Sequence, residues 1–111
     1  MEILKRSRES LDKKDLYFMI TDKSIKKISE NIGKMKVVDY VLYEDVSRQT
    51  GEIYKVLSIK SDTGVYASNS PTLIECFEQI VECFGSDFTE IEIYKSKSNR
   101  GREFIQCRYI A

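Results

Sequence analysis

One segment constrains this chain more than any other. Residues 70–85 hold its only proline, Pro71, and its only long, clean helical period. Leu73, Ile74, Phe77, Ile80, Val81 and Phe84 recur at three- and four-residue steps and make one apolar stripe, with Glu75, Glu78, Gln79 and Glu82 turned toward water. Two N-caps compete: Ser70 with Pro71 at the first helical position, or Thr72 with Glu75 three residues on. Pro71 favours Ser70, and Gly85 supplies the stop. An amphipathic helix of about four turns needs a surface to lie on. The rest of the chain reads as strands, so that surface is a sheet.

The totals bound the answer. A chain of 111 residues is one domain with a single core, and 41% hydrophobic with 32% charged residues is ordinary for a soluble globular protein. No run approaches a membrane span, and Lys5, Arg6 and Arg8 are followed by charges where a signal peptide would have an apolar stretch. Cys76 and Cys83 lie seven residues apart on one helix, about 10 Å along its axis and too far to bridge. With no histidine and no CxxC pair, structural zinc and Ser-His or Cys-His nucleophiles are disfavoured. The expectation is a cytoplasmic protein with reduced, mostly buried thiols, no cofactor and no catalysis. Net charge is zero but uneven: residues 1–34 hold nine Lys/Arg against six Asp/Glu, residues 35–86 four against eight, and residues 87–111 five against four. That balance argues against a protein that coats duplex DNA, while leaving room for a local basic groove.

Residues 1–15 are rich in charge and read as either a short helix or a frayed arm. Leu16–Ile20 reads as a short strand, and 22–33 is ambiguous between a helical face (Ile25, Ile28, Ile32) and an extended segment. From Met35 to Ser47 runs a long strand rich in valine and tyrosine, apolar on both faces, as a curved strand serving both ends of a small barrel would be. A turn at 48–51 leads to an alternating strand, 52–60, with Ile53, Leu57 and Ile59 on one face and Tyr54, Val56, Ser58 and Lys60 on the other. A second turn, 61–64, precedes a short strand, 65–68, and then the helix. Beyond it, 88–97 alternates again, with Ile91 and Ile93 inward and Glu90, Glu92 and Tyr94 outward. A turn at 98–101 leads to the last strand, with Ile105, Cys107 and Tyr109 on one face and Arg102, Phe104, Gln106 and Arg108 on the other. The order strand-strand-strand-helix-strand-strand is that of an OB-fold, a mainly β, five-stranded Greek-key barrel with one helix between its third and fourth strands. Residues 35–111 form that domain, behind a basic, partly ordered N-terminal extension of residues 1–34.

Three stretches carry a resemblance: Tyr43-Glu44-Asp45-Val46-Ser47, the helix entry Val65-Tyr66-Ala67-Ser68-Asn69-Ser70-Pro71-Thr72, and Ser96-Lys97-Ser98-Asn99-Arg100-Gly101-Arg102-Glu103-Phe104. Their order and spacing over roughly residues 35–111 resemble the single-stranded DNA-binding proteins of small tailed phages of Gram-positive bacteria. The resemblance implies a replication-associated protein of the infected cell that coats unwound DNA with little sequence preference.

Sequence-tolerant single-strand binders need cations for phosphates and flat rings for bases. The outward set is Tyr54 and Lys60 on the second long strand, Tyr66 on the third, Tyr94 on the fourth, and Arg102, Phe104 and Arg108 on the last. Lys95, Lys97 and Arg100 crown the final hairpin. Each tyrosine has a plain alternative as a half-buried strand residue, and the basic hairpin as a solvated turn that guards a sheet edge. Glu75, Glu78 and Glu82 would repel DNA, which places any nucleic acid on the opposite side. Glu44/Asp45 point to opposite faces; Glu90 and Glu92 share one, with nothing else converging on them. Neither pair makes a metal or catalytic site. RNA binding fits the same features, and the rival from another class is a small phage or mobile-element protein that binds and inhibits a host protein.

Overall fold

The computed structural model describes residues 1–7, 11–85 and 88–110. Over these residues the protein is mainly β, with eight strands in two open sheets and two α-helices. The strands are β1 (Glu2–Arg6), β2 (Lys26–Lys27), β3 (Gly33–Lys36), β4 (Asp39–Val46), β5 (Ile53–Ser61), β6 (Gly64–Ser68), β7 (Glu90–Lys97) and β8 (Glu103–Tyr109). The helices are α1 (Lys13–Thr21) and α2 (Pro71–Phe84). One sheet runs β1-β4-β5-β6-β2 and the other β3-β7-β8.

α2 follows its sequence signals. Ser70 Oγ accepts from the Leu73 N–H, Pro71 opens the first turn, and Gly85 closes the last with φ 62°, a left-handed value that suits glycine. Leu73, Ile74, Phe77 and Ile80 are buried between the sheets with Tyr40, Leu42, Leu57 and Ile59 of the larger sheet and Ile91, Ile93 and Ile105 of the smaller. Phe77 meets Tyr40 and Phe88 edge-on, at centroid distances of 5.0 and 5.9 Å. Phe84, at the end of the stripe, lies outside this core and stacks on Tyr109, 3.9 Å away and tilted by 16°.

Residues 33–46 form two strands where the sequence suggests one. The break at Val37–Val38 lets β3 pair with β7 and β4 with β5, so the segment serves both sheets. The sheets stay open. The edge of β6 is taken by β2, which pairs with it in parallel (Lys26 opposite Tyr66), and β8 pairs with β7.

The first 34 residues depart most from the expected elements. β1 is a strand antiparallel to β4, held at its end by Ser7, whose hydroxyl donates to Asp39 Oδ1 (2.8 Å) and accepts from the Tyr40 N–H (3.1 Å). Arg8, Glu9 and Ser10, within the stretch expected as helix or arm, lie outside the described residues. Leu16–Ile20 is helix and not strand: Asp12 caps α1 by accepting from the Asp15 N–H (2.8 Å). Leu16, Met19 and Ile20 sit at helical steps against Val41, Tyr43 and Val56, making a second core on the other face of the larger sheet. Ser58 Oγ donates to the Met19 carbonyl at 2.6 Å and pins the helix to β5. β4 is thus apolar on both faces because helices cover both, α2 on one side and α1 on the other. Residues 22–33 hold no α-helix: a turn at 23–24 leads to β2, a 3₁₀ turn at Ile28–Glu30 buries Ile28, and Gly33 opens β3.

The cysteines differ from one another: Cys107 is buried, Cys76 half-buried and Cys83 exposed. Burial, with Cys76 nearby, pushes the Cys107 thiol up to about 12. The expectation of mostly buried thiols fails at Cys83, which falls in the last turn of α2 beyond the buried stripe. Among the described residues no helix is long and apolar enough to cross a membrane.

Candidate nucleic-acid interface

The β7–β8 hairpin positions the strongest cluster. Ser98 N–H donates to the Arg102 carbonyl (2.9 Å) and Gly101 N–H to the Ser98 carbonyl (2.9 Å), which leaves Asn99, Arg100 and Gly101 as a three-residue loop. Gly101 has φ 78°, the left-handed conformation such a loop needs in its last position. This loop sets the register: Tyr94 lies opposite Gln106, and Ser96 opposite Phe104. Ile91, Ile93, Ile105 and Cys107 then face α2 and the core, as the alternation predicts. Tyr94, Phe104, Gln106 and Arg108 share the outer face of the small sheet, with Tyr94 and Phe104 as diagonal neighbours.

No helix or strand of the described residues covers that outer face. Tyr94, Phe104 and Gln106 are half-buried, and Arg108 is exposed. The Arg108 guanidinium lies 4.8 Å from the centre of the Tyr94 ring. Its Nε donates to Glu92 Oε1 (2.6 Å), and Nη2 reaches the same oxygen. Arg108 therefore balances Glu92 while covering one side of the ring.

β3 adds two cations that sequence reasoning missed. Met35 opposite Ile91 points inward, so Lys34 (opposite Glu92) and Lys36 (opposite Glu90) point outward. Both are exposed. The run Gly33-Lys34-Met35-Lys36 carries the alternation that would have found them, but treating 35–47 as one strand and 1–34 as an extension separates the two lysines.

The other sequence candidates fall elsewhere. Arg100 and Arg102 are exposed at the hairpin, with Arg102 leading into the Phe104 face. Lys95 lies opposite Ile105 and Lys97 opposite Glu103, so both project on the side away from Tyr94, exposed near the hairpin end. Tyr54 and Lys60 are exposed on β5, on the α1 side of the larger sheet. Tyr66 does not point outward. It pairs with the core residue Ile59, is 6% exposed, shares a hydrogen bond with Thr63 Oγ1 (2.8 Å) and has Lys26 Nζ 5.4 Å from its ring centre.

The structure therefore brings together Tyr94, Phe104, Arg102 and Arg108, joined by Lys34 and Lys36. It does not bring Tyr54, Lys60 or Tyr66 to them. What the cluster offers chemically is two aromatic rings for stacking and up to four cations for phosphate, against the carboxylates Glu90 and Glu92. Among the described residues no group of three His, Cys, Asp or Glu could hold a metal ion. Compared with known protein families, curated proteins and solved structures, the chain matches none.

Proposed function

We propose that this protein binds single-stranded DNA with little sequence preference, as a non-catalytic protein of phage DNA replication, and that the outer face of the β3-β7-β8 sheet is where the strand lies. The observation that carries this is the pairing of Tyr94 and Phe104 with Arg102, Arg108, Lys34 and Lys36 on one uncovered sheet face. A lone tyrosine on a strand is ordinary. Two half-buried rings between cations on an open face suit unstacked bases, each base–ring stack contributing about 1–3 kcal/mol. Glu75, Glu78 and Glu82 lie on α2, behind the opposite face of that sheet, so they do not repel a strand laid on the outer one. An OB-like arrangement is part of the proposal, supported by the order β4-β5-β6-α2-β7-β8 and by the segment 33–46 that serves both sheets.

The test is titration of labelled oligo-dT and of duplex of equal length at several salt concentrations. Oligo-dT should bind well ahead of duplex, whose bases are already stacked. Four phosphate contacts at most give a slope of log K on log salt of about −3. Equal binding to the two, or binding to neither at low salt, overturns the proposal.

A second reading, inhibition of a host protein, is favoured by a separate surface. At the β4–β5 hairpin, Val46 and Ile53 face each other across the strands at 52% and 67% exposure, beside Tyr54 and Pro71. Exposed apolar neighbours of that kind mark interaction sites. A protein that binds no nucleic acid but loses a bound partner on Ile53→Lys would support this second reading.

A further inference from the structure

We propose that the cleft between β3 and the β5–β6 turn takes one nucleotide of the bound single strand, with its base inside and its phosphate on Lys34 and Lys36. This rests on the single-strand binding proposed above and names a subsite of it. The cleft encloses about 300 Å³ where the two sheets part, and its lining comes from both. Its chemistry is mixed in the way a nucleotide requires. Ile32, 46% exposed, and Met35 give apolar surface for a base. Thr63 and Tyr66 spend one O–H on their mutual hydrogen bond, so the pair keeps one O–H to donate and lone pairs to accept. Asp62 and Glu90 can accept from an N–H of the base, which in thymine is N3–H. Lys34 and Lys36 stand at the cleft and also on the outer face of the small sheet.

Register makes the cleft continuous with that face. Lys34 lies opposite Glu92, which lies opposite Arg108. Strands are about 4.8 Å apart, so a strand crossing from Arg108 meets the cleft about 10 Å on. Lys36 Nζ reaches across the cleft to Asp62 Oδ2 at 3.8 Å, with both side chains more than half exposed. An ion pair that exposed holds weakly, and an incoming phosphate can replace Asp62 at Lys36.

The experiment uses a ten-nucleotide oligo-dT and, separately, thymidine monophosphate. Affinities are measured for wild type, Ile32→Ser, the Lys34→Ala/Lys36→Ala double variant and Phe104→Ala, and monophosphate binding is followed by backbone amide shifts. Ile32 is exposed enough for its replacement to leave the fold intact, which circular dichroism verifies. Ile32→Ser should weaken oligo-dT about three- to tenfold with an unchanged salt slope. The lysine double variant should weaken binding and flatten the slope. Millimolar monophosphate should shift the amides of Ile32, Thr63 and Tyr66. If Phe104→Ala and the lysine double variant weaken oligo-dT while Ile32→Ser does not, the cleft proposal is overturned and the proposed function stands. Shifts with monophosphate but wild-type oligo affinity in Ile32→Ser would make the cleft a free-nucleotide site, which also overturns it. If wild type binds no oligo-dT, the proposed function fails and the cleft assignment with it.

Discussion

Phe104 and Ile105 are adjacent on β8 and point to opposite faces, so truncating each in turn separates folding from binding. Ile105 is 7% exposed and packs in the core with Phe77, Ile91 and Cys107. Replacing such an isoleucine by alanine costs about 2–5 kcal/mol, from lost burial and from the cavity left behind. For a domain of 111 residues that lowers the midpoint by roughly 8–20 °C, at about 4 °C per kcal/mol. Phe104 is half-buried on the open face opposite Ser96. Its truncation should cost roughly 1 kcal/mol of stability or less, from partial burial alone. It should, however, remove a stacking platform, weakening oligo-dT by about 1–3 kcal/mol, or roughly five- to 150-fold. Thermal and urea unfolding measure the first effect and fluorescence titration the second. If Phe104→Ala unfolds the protein while Ile105→Ala is tolerated, the strand is out by one residue. Every side chain assigned to the outer face of β8 would then belong to the core.

Three further outcomes are expected. Ellman's reagent should modify exposed Cys83 at once and buried Cys107 only on unfolding; equal rates at the two would contradict the burial. The Cys107 thiol is raised from 9.0 to about 12 in the folded state, so the stability it contributes is full below pH 9 and is lost as pH rises toward 12. The loss should run at about 1.4 kcal/mol per pH unit and be shallower in Cys107→Val; an unchanged alkaline profile in that variant would assign the loss to other groups. Met19→Ala should cost about 2–5 kcal/mol, because Met19 is 2% exposed on the face of α1 that meets the larger sheet; a neutral effect would mean that α1 is no part of the folded core.

What could be read from the sequence was local. α2 announced itself through Ser70, Pro71, Gly85 and a stripe at helical spacing. The last hairpin followed from Gly101 and from the alternation on either side of it. α1 was hidden because Leu16-Tyr17-Phe18-Met19-Ile20 is one unbroken apolar run, in which helical spacing is invisible. Only packing separates its buried Met19 from Tyr17 and Phe18, which are 61% and 48% exposed. β1 has little apolar content and serves as an edge strand, so it looks like an arm. Tyr66 was legible but misplaced. With Asp62 and Thr63 as a two-residue turn, Ile59 must face Tyr66, and opposite residues share a side. The open sheets were beyond reach, because they depend on β2, two residues long, taking the edge of β6.

If a single DNA strand lies on the outer face of the β3-β7-β8 sheet, as proposed, backbone and side-chain NMR shifts will map it as unlabelled oligo-dT is added. The largest changes should fall on Lys34, Lys36, Tyr94, Arg102, Phe104 and Arg108, with Tyr54, Lys60 and α1 unmoved. Changes centred on Tyr54, Lys60 and the β4–β5 hairpin, with the Tyr94–Phe104 face silent, would contradict it.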